Sequence, residues 1–375
     1  MTLVHDAALS PAISPAADRL RPVRIWLYGL AAFVLLIVVV GGITRLTESG
    51  LSITSWKPIT GAIPPLTEAD WLAEFEAYKQ IPQYQVNNTW MSLADFKMIF
   101  FWEWFHRLLG RVLGFLFIVP FVVFLFQKRL PRTLALPLFG LFLLGGFQGA
   151  LGWWMVSSGL TELTSVSQYR LAAHLTAAGV LLIALTYVPR SIDPRPVTGQ
   201  VSAKHLWSAG LLLVLIMIQI AAGAFVAGLD AGMGYNTWPL MDGALVPNGL
   251  GAMQPGWRNL FENNLTVQFN HRMIAYGIVL YMVWLLWAQA RAGGFAGVHR
   301  WLPRLAVIVL LQVVLGISTL LSQVQIDLAV AHQAVAFILA GAVTLYLADL
   351  LRAARSAGVQ RTAAPVSVGL AESMR

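Results

Sequence analysis

Seven histidines and no cysteine set the limits of what this chain can do. Disulfides, thiolate metal sites, iron–sulfur clusters and cysteine nucleophiles are excluded, so chemistry must rest on imidazole, carboxylate or a bound group. Four histidines form matched pairs: Phe105-His106-Arg107 aligns with Asn270-His271-Arg272, and Ala173-His174 with Ala331-His332. His5, His205 and His299 have no such counterpart and are read as ordinary residues of loops and span ends. One histidine on an apolar helix is usually a packing residue. Four at equivalent places are not, because a charged group inside a membrane span costs about 2.5 kcal/mol or more and normally marks function.

Paired imidazoles on facing helices suit a haem, which needs an axial ligand on each side of its iron, an apolar slot, and basic groups for its propionates. His106 with His174, and His271 with His332, supply the ligands; Phe, Leu and Trp supply walls; Arg107 and Arg272 lie at the polar rim. The alternative for those arginines is that they merely snorkel to the interface. A tetrahedral zinc site is poorly supplied, since no carboxylate recurs at the equivalent place in both repeats. Glu103 lies one turn before His106, where the other repeat has Gln268. A carboxylate at i, i+3 from an axial ligand projects over the same helix face and could move protons or orient an oxygen species. Its plainer alternative is an interfacial glutamate bonded to Trp or Arg neighbours.

The elements that must position these residues are membrane helices. The chain is 58% hydrophobic and 11% charged, against roughly 25% charged in a soluble domain, which rules out a single soluble globule. Apolar runs at 25–44, 105–126, 134–156, 171–189, 206–228, 269–290, 302–321 and 328–350 give eight spans, each near the roughly 20 residues a bilayer requires. The expected fold is an all-α polytopic membrane protein. The first run is too long and lacks a small-residue cleavage site, so it reads as an anchor and not a signal peptide. The four paired histidines fall in the first or second turn of spans 2, 4, 6 and 8, near one membrane face.

Two connections on that face are long. In the first, Thr67 and Asp70 form a capping-box-like start for an amphipathic helix over about 66–80, with Trp71, Leu72, Phe75 and Tyr78 on its apolar side. Ser92 and Asp95 repeat the signal before span 2. The second, from about Asp230 to Thr266, is rich in Gly, Pro and Asn and should be irregular.

The halves repeat each other. Gly50, Trp56, Gly61-Ala62 and Pro64 align with Gly232, Trp238, Gly243-Ala244 and Pro247, and Gln148 and Gly152 align with Gln312 and Gly316. An even number of spans per half gives the repeats one orientation, hence two tandem four-helix bundles related by a pseudo-twofold axis along the membrane normal. The expected organisation is a tail at 1–24, a first bundle at 25–190, a linker at 191–205, a second bundle at 206–350, and a tail at 351–375.

The net charge of +8 is distributed by topology. Basic residues gather in alternate connections: Arg19, Arg21 and Arg24; Lys128, Arg129 and Arg132; Arg190, Arg195 and Lys204; Arg291, Arg300 and Arg304; and Arg352, Arg355, Arg361 and Arg375. By the positive-inside rule these segments and both termini are cytoplasmic, which puts the histidine face on the periplasmic side of a bacterial inner membrane. No basic patch suggests nucleic acid.

Taken together, Gly41-Gly42-Ile43-Thr44-Arg45-Leu46-Thr47-Glu48-Ser49-Gly50-Leu51-Ser52, then Trp56-Lys57-Pro58 and Gly61, then Glu103-x-x-His106-Arg107, resemble the haem A synthase family over essentially all eight spans. The resemblance implies oxidation of the C8 methyl of haem O, through a hydroxymethyl intermediate, to the formyl group of haem A for terminal oxidases. It implies that His106 and His174 hold the haem O or haem A undergoing oxidation, that His271 and His332 ligate a haem b for electron transfer, and that Glu103 is the functional glutamate. It further implies a haem O synthase and terminal oxidase assembly factors as partners, an electron partner of unidentified nature, membrane lipid around the chain, and room for a homo-oligomer. Some members carry a cysteine pair in an outer loop, which this chain lacks. The rival readings are a di-haem cytochrome b that only relays electrons, and a haem transporter or insertion chaperone.

Overall fold

A computed structural model describes residues 19–161 and 163–363, with side chains to residue 356. His5 and most of the two tails, with their charges, lie outside the described residues. The described residues form an all-helical protein with eight helices long and apolar enough to cross a membrane, a multi-pass membrane protein. These are α1 (Arg21–Leu46), α3 (Leu93–Phe126), α4 (Arg132–Ser157), α5 (Gln168–Ser191), α6 (Ala203–Gly228), α8 (Asn264–Arg291), α9 (Trp301–Leu321) and α10 (Ile326–Ala363). Two more helices, α2 (Glu68–Lys79) and the short α7 (Asn259–Glu262), belong to the long connections.

All eight expected spans are present. The largest shift of a helix start is in α3, which begins at Leu93, well before the apolar run. Ser92 caps it: its side chain accepts from the Asp95 N–H while Asp95 accepts from the Ser92 N–H. The Thr67–Asp70 box caps α2 in the same way. Each box satisfies orphan N–H groups at a helix start, so a helix can begin in the polar connection ahead of its apolar stretch. His106 consequently sits deep inside its helix instead of in the first or second turn.

Packing follows one pattern in both halves. α1 packs on α3 and α5, and α4 on α3 and α5; α6 packs on α8 and α10, and α9 on α8 and α10. α1, α5, α6 and α10 meet at the centre, where Val23, Leu27, Leu212, Leu305, Phe337 and Leu350 are fully or almost fully buried in one apolar core. At the helix ends away from the paired histidines, Asp349 of α10 takes Arg190 at 2.6 Å, Arg352 at 3.0 Å and the Trp301 indole N–H at 3.0 Å. Nearby Asp193 is gripped by Arg195. Burial alone would raise the Asp193 carboxyl, but hydrogen bonds from Arg195 and the charges of Arg195 and Arg352 hold it well below the usual carboxylate range.

The outer connections differ. The first builds a second apolar core from Leu51, Ile53, Phe75, Tyr78, Phe96 and Phe100. In it Phe75 stacks on Phe96 at 4.9 Å, and the Tyr78 hydroxyl donates to Gln83 and accepts from Asn88. Leu72, expected on the apolar side of α2, is instead largely exposed. The second connection is irregular as expected, with short 3-10 turns and a left-handed Asp230 (φ 51°).

Candidate functional site

All four paired histidines meet a glycine of a neighbouring helix. A Cβ added at Gly41 of α1 would lie 2.8 Å from His106 Cε1; at Gly152 of α4, 3.3 Å from His174 Cε1; at Gly223 of α6, 3.1 Å from His271 Cε1; and at Gly316 of α9, 2.8 Å from His332 Cε1. Only glycine lets the backbone approach an imidazole so closely. This fourfold cradle is the structural form of the duplication, and it sets each ring at a fixed place between two helices.

The Nδ1 atoms of His106, His174, His271 and His332 are buried without a hydrogen-bond partner. Buried polar atoms are normally paired, so four orphaned imidazole nitrogens at equivalent sites fit residues that bind a further group. His271 and His332 lie with ring centres 6.4 Å apart and planes at 77°. With metal–imidazole bonds of about 2 Å on each side, that spacing suits an ion shared by both rings. The group is not a cluster-type metal site, since no three His, Asp or Glu side chains converge among the described residues. His205 and His299 do touch, at 4.6 Å, but at the opposite helix ends, where His205 caps α6 through Ser202 and His299 bonds the Gln200 carbonyl.

Glu103 is 2% exposed and fully engaged. It accepts from Arg107 at 2.6 Å, from the Ser52 hydroxyl at 2.8 Å and from the Ile53 N–H at 2.8 Å. Arg107 in turn donates to the carbonyls of Ile53 and Ser55. In the second half, Arg272 donates to Gln268 at 2.9 Å and to the carbonyls of Tyr235 and Thr237, which stand 182 residues after Ile53 and Ser55. Both arginines therefore clamp an outer connection onto a helix one turn from a histidine. The guanidiniums that the sequence assigns to propionates are occupied by loop carbonyls, while Arg272 Nε remains buried and unpaired.

The clamps differ in polarity. Gln268 uses its Nε2 to donate to the Ala231 carbonyl at 2.8 Å, whereas Glu103 meets only donors. Sequence alignment of the helices does not show this, because the partners come from the connections. A cavity of about 460 Å³ lies under the first connection, lined by Lys57, Asp70, Trp104, Arg107 and Arg111 among others. It faces the stripe of α3 that carries Phe100, Trp104, Arg107 and Arg111, off the face of His106.

Other contacts join the halves near the sites. Gln333, next to His332, donates to the Val38 carbonyl of α1 at 2.8 Å, and a Cβ at Gly42 would meet its amide at 3.0 Å. Arg45 reaches Asp230 at 2.8 Å and the Ala227 carbonyl at 2.7 Å. Sequence reasoning missed Gln219, Gly223 and Gln333. The first two were findable, since Gln148-x-x-x-Gly152 and Gln312-x-x-x-Gly316 already align, and the same spacing recurs ahead of His271.

Residues 24–344 match the family model described as cytochrome oxidase assembly protein. The chain is 55% identical to a haem A synthase of Azorhizobium caulinodans, covering 89% of this chain and 95% of that one. It is 53% identical to a haem A synthase of Parvibaculum lavamentivorans over 84% and 90% of the two chains. A haem A synthase of Rhodopseudomonas palustris is 48% identical over 97% and 98%.

Proposed function

The chain belongs to the cytochrome oxidase assembly protein family, and from that premise we propose that it is a haem A synthase, a membrane oxidoreductase that converts the C8 methyl of haem O through a hydroxymethyl stage to the formyl group of haem A. The observation that carries this reading is the fourfold cradle, four imidazoles each set against a helix glycine with an unpartnered buried Nδ1. In this reading His106 and His174 hold the substrate haem in a first bundle at 25–190, and His271 and His332 hold a haem b in a second bundle at 206–350. The shared packing pattern of the two halves supports that division. Haem b would supply one-electron transfer when bound.

The chain's own groups do the rest. The glycine cradles fix where the imidazoles stand. The Glu103–Arg107 clamp holds residues 52–55 over α3 and keeps a buried carboxylate one turn from His106. We assign Glu103 the handling of protons at the N-terminal site, and Arg107 and Arg272 the polar rim of the two haem sites. The apolar cluster around Phe75, Tyr78 and Phe96 covers this end of the first half against water. Termini on the cytoplasmic side and histidines toward the periplasm complete the proposal, with a haem O synthase and oxidase assembly factors as partners.

The test is expression with haem O supplied, followed by mass analysis of the extracted haems. Haem A is the expected product. Two unmodified haem b molecules would favour an electron relay instead, and haem O returned unchanged would favour a carrier. Reporter fusions at Lys128, Arg195 and Arg300 should show a cytoplasmic location; the opposite pattern would overturn the orientation.

A further inference from the structure

Three glutamines stand where a fourth site has an isoleucine. Four residues before each histidine-facing glycine, one helical turn back on the same face, are Gln148, Gln219, Gln312 and, ahead of Gly41, Ile37. Gln219 Nε2 lies 3.0 Å from the His271 carbonyl and 3.2 Å from its ring Nε2. Gln312 Nε2 lies 3.5 Å from the His332 ring Nε2, and Gln148 Nε2 donates to the His174 carbonyl at 3.2 Å. The Oε1 of each of these glutamines is buried with no partner, beside a histidine whose Nδ1 is also unpartnered. Leaving a buried polar atom unsatisfied costs about 1–3 kcal/mol, so the repeated pairing of a spare acceptor with a spare imidazole nitrogen has a reason. A ligating imidazole donates its other N–H to a neighbouring acceptor, which fixes the ring's orientation and raises its basicity. At His106 the facing position is Ile37, which has no side-chain amide to offer the ring.

We propose that Gln148, Gln219 and Gln312 are positioning residues, each holding one haem-ligating histidine through its amide, and that Ile37 leaves His106 as the axial ligand that lets go. The proposal rests on the haem-ligating reading above. It gives the two sites different tasks. The C-terminal pair has a glutamine at both ligands and stays closed, as an electron carrier should. The N-terminal pair has one held ligand and one loose one, so the site with a coordination position that can open is also the one with Glu103.

Carbon monoxide binding to the reduced, detergent-purified full-length protein tests this without reference to turnover, because the gas binds only haem iron that has a free position. The wild-type protein should bind it at one of its two haems. Ile37→Gln should slow or reduce that binding about tenfold or more, the scale on which partners of a metal ligand act, with haem content kept. Gln219→Ile should make the second haem reactive as well. Unchanged binding in Ile37→Gln at full haem content, or a Gln219→Ile protein whose second haem stays inert, would overturn the proposal. Wild-type protein purified without haem would defeat the haem-ligating reading itself, and the two failures are told apart by the haem content measured on the same sample.

Discussion

The two halves of this molecule share helices, glycine cradles and an arginine clamp, and differ in what surrounds one histidine. In the second half His271 and His332 face each other at 6.4 Å, each beside a glutamine, with a Gln268–Arg272 clamp that contains no carboxylate. In the first half the clamp is an ion pair at 2.6 Å, and Ile37 replaces a glutamine. A folded outer layer with its own apolar core covers this half, whereas the second half has an irregular connection. The halves are two similar scaffolds that differ at a few positions around one histidine.

The comparison breaks first at the ligands. His271→Ala or His332→Ala should abolish the low-spin haem b spectrum of the purified protein, while His106→Ala should leave it in place; a spectrum unchanged in both C-terminal variants would make that pair structural. Glu103→Gln is the next largest effect. Gln268 occupies the equivalent place in the second half, but its loop offers a carbonyl, where residues 52 and 53 offer a hydroxyl and an N–H. The substituted amide would turn its NH2 toward a donor, at about 1–3 kcal/mol for each group left unsatisfied. Haem b should be retained, thermal stability should fall, and haem O or the hydroxymethyl compound should accumulate in place of haem A. Normal haem A output would remove Glu103 from the reaction.

Smaller effects sharpen the comparison. Gly316→Ala puts a methyl 2.8 Å from His332 Cε1, against 3.3 Å for Gly152→Ala and His174, so haem retention should fall further in the first variant than in the second; equal retention would mean that the cradles yield easily. The smallest concerns the linker between the halves. Asp193 is held below its ordinary 3.8, so the stability it contributes is fully present above that pH and is lost as pH falls toward the folded value. Melting temperature should therefore show no dependence on this group between pH 5 and 8. Asp193→Asn should lower it across that range and flatten its decline below pH 4, an expectation checked by thermal melts in detergent.

Much of this was legible beforehand. Eight spans, two capping boxes and the four histidines follow from apolar length, from Ser or Thr three residues ahead of Asp, and from repeated dipeptides, all of which act within a few residues. The reach of α3 back to Leu93 was not, because apolar length marks the membrane and not the helix, and a cap in the polar connection extended it. Leu72 came out exposed because the apolar core of the first connection closes over Phe75 and Tyr78 instead. Arg107 and Arg272 were recognised as important, but their partners are backbone carbonyls, which carry no signature in residue type.

By itself, then, the sequence determined the class of protein, the absence of thiol chemistry and which imidazoles are paired, since these depend on composition and on local periodicity. Only the tertiary structure decided which glycine each histidine leans on, that Glu103 is surrounded by donors while Gln268 meets an acceptor, and that Ile37 stands where three other sites have glutamine. Those are relations between segments that meet only once the chain is folded. They are fixed by how closely two backbones can approach and by which polar atoms remain unpaired when they do.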